Sequence, residues 1–60
     1  MRCLIKREDA FTPAALAIFA TLMIEEYNPI QRAGSLWVEV WLGENDMNQF
    51  KAAGIALEVI

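Results

Sequence analysis

The segment from Thr12 to Tyr27, TPAALAIFATLMIEEY, restricts the fold strongly because it is long, apolar and bounded by prolines. Thr12 is a good N-cap, since its hydroxyl can accept a hydrogen bond from a free backbone N–H. Pro13 suits the first helical position because it has no N–H to leave unpaired. The residue before a proline is pushed out of the α region, so Asn28-Pro29 ends the pattern. The sequence therefore predicts one long helix over residues 12–27.

This predicted helix is apolar on nearly all sides. At about 100° per residue, a broad stripe, widened by Ile18 and Leu22, contains Leu16, Phe19, Ala20, Met23, Ile24 and Tyr27. One interpretation is a central core helix. The other adds a face for self-association or a partner, where small side chains permit close approach, at Ala14, Ala17, Ile18 and Thr21.

The uncharged run from Ala10 to Ile24 raises the question of a membrane span or a signal peptide. A spanning helix needs about 20 apolar residues, and this run is shorter and contains Pro13. A signal peptide has small residues after its apolar run, whereas Glu25 and Glu26 follow here. We therefore expect a cytoplasmic protein without a membrane partner.

The size of the chain limits its own stability. Its 60 residues predict a single domain, 1–60, and a domain of that length buries only about 60% of the surface that its unfolded chain exposes. Cys3 is the single cysteine and there is no histidine, so neither an internal disulfide nor a structural zinc site is available. With 57% hydrophobic residues, the composition favours a homodimer or docking on another protein.

The charge pattern argues against a nucleic-acid partner, because the chain carries a net charge of −3. Arg2, Lys6 and Arg7 lie together near the N-terminus, but Glu8 and Asp9 follow at once and offset them. The carboxylates are scattered along the chain, which does not favour an acidic mimic of DNA.

Two further segments have the composition of strands. Residues 2–6 predict a first strand, and residues 35–42, SLWVEVWL, a central strand that follows a loop over 28–34. The central strand places Trp37, Glu39 and Trp41 on one face and aliphatic residues on the other. Either helices cover both faces, as in parallel sheets, or the tryptophan face is left for another chain.

The C-terminal third predicts a short helix over 46–53, capped by Asn45, and then a third strand over 55–60, with continued helix as the alternative. Gly54 suits the left-handed residue that ends a helix. The element order is β-α-β-α-β in an α+β domain with a three-stranded sheet. A right-handed crossover would make strands 2–6 and 35–42 parallel, and the direction of the second crossover stays open.

The residues that carry chemistry do not form an active site. Cys3 and Ser35 have no evident activating partner, there is no glycine-rich phosphate loop, and Glu25 and Glu26 point about 100° apart on a helix. Glu44, Asp46 and Asn48 have the spacing of the first ligands of a calcium loop, but Gln49 stands where the turn needs glycine. We therefore expect no enzyme, no cofactor and no metal.

Two features favour protein binding instead. Trp37, Glu39 and Trp41 give large rings on a rigid strand, which is the composition of a binding hot spot. Glu25 and Glu26 place negative charge at the negative end of the predicted helix, which Arg32 or a partner's cation could offset. The leading hypothesis is an inhibitor or adaptor of a larger cytoplasmic protein, of the small acidic kind common in phages and mobile elements. The alternative is a structural subunit of a homo-oligomer.

Overall fold

The computed structural model describes residues 1–24 and 27–60. Across these ranges the chain is a small α+β domain with four strands and three helices, which confirms the predicted class. The elements, in chain order, are β1 (Arg2–Lys6), α1 (Arg7–Ala10), α2 (Pro13–Thr21), β2 (Asn28–Arg32), β3 (Ser35–Trp41), α3 (Glu44–Ala52) and β4 (Glu58–Val59).

The strands form one antiparallel sheet in the order β2-β3-β1-β4. Arg2 lies opposite Trp41, and Lys6 lies opposite Trp37. The predicted three-stranded sheet is therefore wrong, and strands 2–6 and 35–42 are not parallel, as a right-handed crossover would have made them. The direction of β3 is set by its hairpin with β2, not by a crossover from β1.

The β2–β3 hairpin replaces the predicted loop over 28–34. Ala33 and Gly34 form its two-residue connection, and their φ angles of 52° and 79° are those of a type I′ turn. Pro29 is tolerated because β2 is an edge strand of the sheet. Pro29 and Gly34 indicated a loop, but Pro29 lies in an edge strand and Gly34 lies in the turn of the hairpin.

Helix α2 begins as predicted but ends early. The Thr12 hydroxyl accepts a hydrogen bond from the Ala15 backbone N–H at 3.3 Å, which confirms the N-cap. Met23 adopts a φ of 57°, and the Ile24 N–H donates to the Phe19 carbonyl at 2.9 Å. These are features of a Schellman motif, so the helix stops at Thr21 without needing Pro29. The predicted helix over 12–27 was too long.

The other elements also differ from the predicted bounds. Helix α1 was not predicted. Helix α3 starts two residues before the predicted 46–53, and its N-cap is Gly43 with no side-chain cap, so the predicted cap at Asn45 is wrong. Gly54, with a φ of 79°, follows α3 as expected. Of the predicted strand 55–60, β4 retains Glu58 and Val59, and the Ile60 N–H extends the ladder to the Arg2 carbonyl at 3.0 Å.

The core lies between the three helices and one face of the sheet. Phe50 is completely buried, and its ring centroid lies 5.2 Å from that of Phe19. The buried side chains of the core are Cys3, Ile5, Ala10, Ala15, Phe19, Val38, Val40, Leu42, Met47, Phe50 and Ile55.

The predicted stripe is confirmed in part, since Phe19 lies in the core and Ile18, Leu22, Ile24 and Tyr27 pack against it. Ala15 and Phe19 are buried, whereas Leu16 and Ala20 are exposed and Met23, just beyond the helix, is 83% exposed. Because α2 is uncharged and apolar all round, its sequence does not select which side faces the core. In the described part of the chain, no helix is both long and apolar enough to cross a membrane.

Candidate protein-binding face

The sheet face opposite the core is the first candidate site. Each helix contributes buried residues to the core, which takes Cys3, Ile5, Val38 and Val40 from the other face. The helices of the described residues therefore lie on one side and leave the tryptophan face without a helix over it, an outcome that the sequence did not decide. From the strand register, this open face carries Arg2, Leu4, Lys6, Asn28, Ile30, Arg32, Ser35, Trp37, Glu39, Trp41 and Glu58.

The two tryptophans of the open face have different environments. Trp41, at the end of β3, is 70% exposed. Trp37 is half-buried, and its indole N–H donates to the Arg32 carbonyl at 3.3 Å. Trp41 therefore offers contact area to another molecule, whereas Trp37 belongs partly to the structure of the face itself.

Two cations hold the Trp37 ring in place. Lys6 Nζ lies 5.8 Å from the ring centroid, and Arg32 Cζ lies 5.9 Å from it. Cations at these distances are attracted to the electron-rich face of an indole. The ring is therefore restrained by its hydrogen bond and by both neighbouring charges.

Glu39, between the tryptophans along β3, is paired within the chain. Arg2 Nε donates to one carboxylate oxygen, and Asn28 Nδ2 lies 3.4 Å from the other. The hydrogen bond from Arg2 lowers the pKa of the Glu39 carboxyl, so the group stays ionised. Its role in the described structure is to fix Arg2 and Asn28 on the open face.

Leu4 is only 1% exposed although it lies on the open face, outside the main core. Arg32 Nη1 and Glu58 Oε2 are 2.9 Å apart, and these residues belong to the two edge strands. The edge strands are separated by three strand spacings of about 4.8 Å, so the paired side chains extend over the middle strands. Arg32, Glu58 and Leu4 were not among the predicted site residues. The sequence of residues 2–6 does not show which strands lie on either side of this strand.

The predicted self-association residues lie on α2, in the helix layer. Ala14, Ala17 and Thr21 are exposed and Ile18 is half-buried. The Thr21 hydroxyl donates to the Ala17 carbonyl at 3.0 Å, so its polar group is satisfied within the helix. Ile18 also packs against the core, so only Ala14, Ala17 and Thr21 of this set face solvent, and they lie in the helix layer rather than on the open face.

The structure brings together Trp37, Glu39 and Trp41 from the predicted protein-binding set. The other two members, Glu25 and Glu26, lie outside the described residues. Among residues 1–24 and 27–60, no three histidine, cysteine or acidic side chains are grouped so that they could hold a metal ion. Comparison of the chain with known protein families, curated proteins and solved structures found no match.

Cys3, the one thiol of the chain, lies in the core. Its side chain is fully buried, with Sγ 3.4 Å from Met47 Sδ. Burial raises the pKa of the Cys3 thiol above its ordinary value, because the apolar surroundings disfavour the thiolate. The geometry therefore describes a packed, protonated thiol rather than a nucleophile.

Proposed function

We propose that this chain is a non-enzymatic protein-binding module, an inhibitor or adaptor of a larger cytoplasmic protein, and that the open face contacts the partner. The observation that supports the proposal is the 70% exposure of Trp41 on a strand inside the sheet. Tryptophan is enriched among the residues that dominate binding energy, because it supplies a large contact area at low entropic cost.

The surroundings of Trp41 favour this role. Arg2 lies directly opposite on β1 and is held by Glu39, while Ile60 extends β4 on the other side of Arg2 and is 55% exposed. Side chains that are already ordered lose little conformational freedom when a partner binds. An apolar centre with a charged, prearranged rim is the usual anatomy of a protein interface.

The test is a matched pair of variants in a capture experiment with tagged protein. Trp41→Ser removes the exposed ring of the open face, and Met23→Asn removes another exposed apolar side chain outside it. Because both side chains are largely exposed, we expect unchanged circular dichroism and melting temperature. We expect a specific partner, identified by mass spectrometry, to be lost with Trp41→Ser and retained with Met23→Asn. If both variants still capture the partner, the open face is not part of the interface.

A second candidate function is a structural subunit of a homo-oligomer, supported by the outer side of α2. Pro13, Ala14, Leu16, Ala17 and Ala20 are exposed on a helix without charged residues. A helix that is apolar all round is normally covered on more than one side. A second copy would cover this surface at the small side chains of α2.

Sedimentation velocity over a wide range of concentrations tests this second function. Ala17→Glu should shift the chain towards monomer, because the new carboxylate would be desolvated between two copies of α2. Ala52→Glu, at an exposed alanine of α3, is the matched control and should leave the distribution unchanged. A defined dimer would leave the open face free for a partner, whereas open-ended growth would favour an assembly subunit. A monomer at all concentrations would contradict this function.

A further inference from the structure

A second surface of the molecule has the properties of a ligand site. A hollow of about 570 Å³ lies between α1 and the β2–β3 hairpin, and its walls include Lys6, Arg7, Glu8, Phe11 and Leu36. A second hollow of about 290 Å³ shares Arg7, Phe11 and Leu36 and continues along Tyr27, Pro29 and Val38. We call the two together the hairpin cleft. Because the two hollows share three lining residues, one extended ligand can contact both of them.

Part of the hairpin cleft wall is apolar and packed against the core. Phe11 and Leu36 remain 46% and 48% exposed, so the cleft presents apolar surface to solvent. The Phe11 ring meets Tyr27 edge-to-face at a centroid distance of 5.7 Å, and Tyr27 stacks on Phe19 of the core at 5.5 Å. This row of aromatic contacts joins the cleft wall to the core, so the wall does not have to form when a ligand binds.

Two cations, Lys6 and Arg7, line the hairpin cleft, and Lys6 is also part of the open face. Arg2 and Arg32 each have a carboxylate partner. Lys6 and Arg7 lie over aromatic rings, as Arg32 also does, with Lys6 Nζ 5.8 Å from the Trp37 centroid and Arg7 Cζ 5.9 Å from that of Phe11. In the described part of the chain neither forms an ion pair with a carboxylate. The ammonium of Lys6 and the guanidinium of Arg7 carry N–H donors of the kind that pair with carboxylate oxygens.

We infer that the hairpin cleft binds an acidic peptide segment of a partner protein. An aromatic or branched aliphatic side chain of the segment enters between Phe11 and Leu36, and neighbouring carboxylates pair with Lys6 and Arg7. This inference rests on the proposed protein-binding function but uses a different surface from the Trp41 end of the open face. Charge complementarity and the apolar walls together select this occupant over a purely apolar or a basic segment.

Pro29 decides how the segment is held. Arg32 and Ser35 flank the two-residue turn as a hydrogen-bonded pair, and pair types alternate along the β2–β3 ladder, so Pro29, which has no N–H, and Val38 form a non-hydrogen-bonded pair whose backbone groups point outwards. The free edge of β2 therefore lacks a donor at residue 29, next to the cleft. Addition of the peptide as a fifth strand along β2 is disfavoured, and side-chain anchoring in the cleft carries the binding.

The inference is tested with a fluorescein-labelled peptide, acetyl-EDFLDE-amide, and its basic counterpart, acetyl-KKFLKK-amide, by fluorescence anisotropy on the intact chain. We expect saturable binding of the acidic peptide alone, weakened by added salt. Lys6→Gln with Arg7→Gln, and separately Leu36→Ser, should each weaken it by about tenfold or more. Lys51→Gln, at an exposed lysine of α3, is the matched control and should change it by less than about twofold.

Glu8 supplies a test of opposite sign. Its carboxylate also lines the hairpin cleft and repels the acidic segment, so Glu8→Gln should strengthen binding by about two- to fivefold. Circular dichroism of every variant checks that the fold is retained, and amide shifts of the isotope-labelled chain locate the peptide at Phe11 and Leu36. If a variant fails to fold, the amide shifts of the unaltered chain still show where the peptide binds.

Several results would overturn the inference. These are no saturable binding up to about 1 mM peptide, equal binding of the basic peptide, tighter binding of a single-stranded DNA of the same length, or shifts centred on Trp41. These peptide-binding results are independent of whether Trp41→Ser loses its captured partner. The proposed function and the hairpin cleft can therefore fail independently of each other.

Discussion

Arg32 on β2 and Glu58 on β4 form an ion pair across the open face, with Nη1 2.9 Å from Oε2, although their strands lie at opposite edges of the sheet. Arg32 also lies over the Trp37 ring. One guanidinium thus connects both edges of the sheet and an aromatic ring of the candidate interface. The pair orders the open face by linking residues that are far apart in the sequence.

We expect this ion pair to contribute little to global stability. Both side chains are nearly half exposed, at 45% and 48%, so water screens their attraction. A double-mutant cycle with Arg32→Gln and Glu58→Gln, followed by urea unfolding, should give a coupling energy of about 0.2–1 kcal/mol. The coupling should fall in 1 M salt, and a larger, salt-independent value would show that the pair is effectively buried.

Leu4 should matter much more than the ion pair above it. Because it is 1% exposed, Leu4→Ala removes buried apolar volume and should lower the free energy of unfolding by about 2–5 kcal/mol. Leu36→Ala, at a leucine that is 48% exposed, should cost less than about 1 kcal/mol. Urea unfolding of the two variants measures the difference, and equal losses would mean that the open face does not bury Leu4.

Glu39 makes part of the stability depend on acid pH. Its pKa is lowered from an ordinary value of 4.5 by the Arg2 hydrogen bond, so the folded chain binds its proton less readily than the unfolded chain. This contribution is present above the unfolded pKa and is lost as pH falls through the folded pKa. In Arg2→Gln the Glu39 pKa should rise, as followed by carbon NMR of the carboxyl, and the loss of stability below that ordinary value should be less steep. An unchanged titration would contradict the pairing.

The Ala33-Gly34 turn offers a stabilising substitution. Ala33 has a φ of 52°, which is unfavourable for alanine and better tolerated by asparagine, the preferred residue at this position of a type I′ turn. Ala33→Asn should raise the free energy of unfolding by about 0.5–1 kcal/mol. Ala20→Asn, at an exposed position of α2, should lower it because asparagine is a poorer helix former. Thermal melts should show a higher melting temperature for Ala33→Asn and a lower one for Ala20→Asn. A lower melting temperature for Ala33→Asn would contradict the type I′ turn.

The Cys3 thiol should be unreactive in the folded chain. It is fully buried with a raised pKa, so a disulfide reagent at pH 8 should modify it at least about 100-fold more slowly than in guanidinium. The raised pKa favours folding below the thiol's unfolded pKa, and this contribution is lost as pH rises through the folded pKa. A chain with Cys3→Ala and Ser35→Cys is the control and should react at once, because residue 35 is exposed. Rapid reaction of native Cys3 would contradict its burial.

Local signals in the sequence predicted local structure well. Thr12-Pro13 marked the start of α2, Gly54 marked the end of α3, and the alternation along residues 35–42 placed Trp37 and Trp41 on the same face. Each of these depends on backbone sterics or hydrogen bonds within a few residues. Met23 and Ala33 show where such signals fail, since each adopts a positive φ that its residue type does not predict.

The sequence by itself therefore determined the class of fold, the main helix start and the composition of the tryptophan face. Only the tertiary structure decided that β1 and β3 are antiparallel, that all three helices cover one face, and that Arg32 reaches Glu58. The physical reason is that strand pairing and side-chain contacts between distant residues depend on how the whole chain packs. An evenly apolar helix and a strand with two apolar faces are compatible with several packings, and local residue preferences do not choose among them.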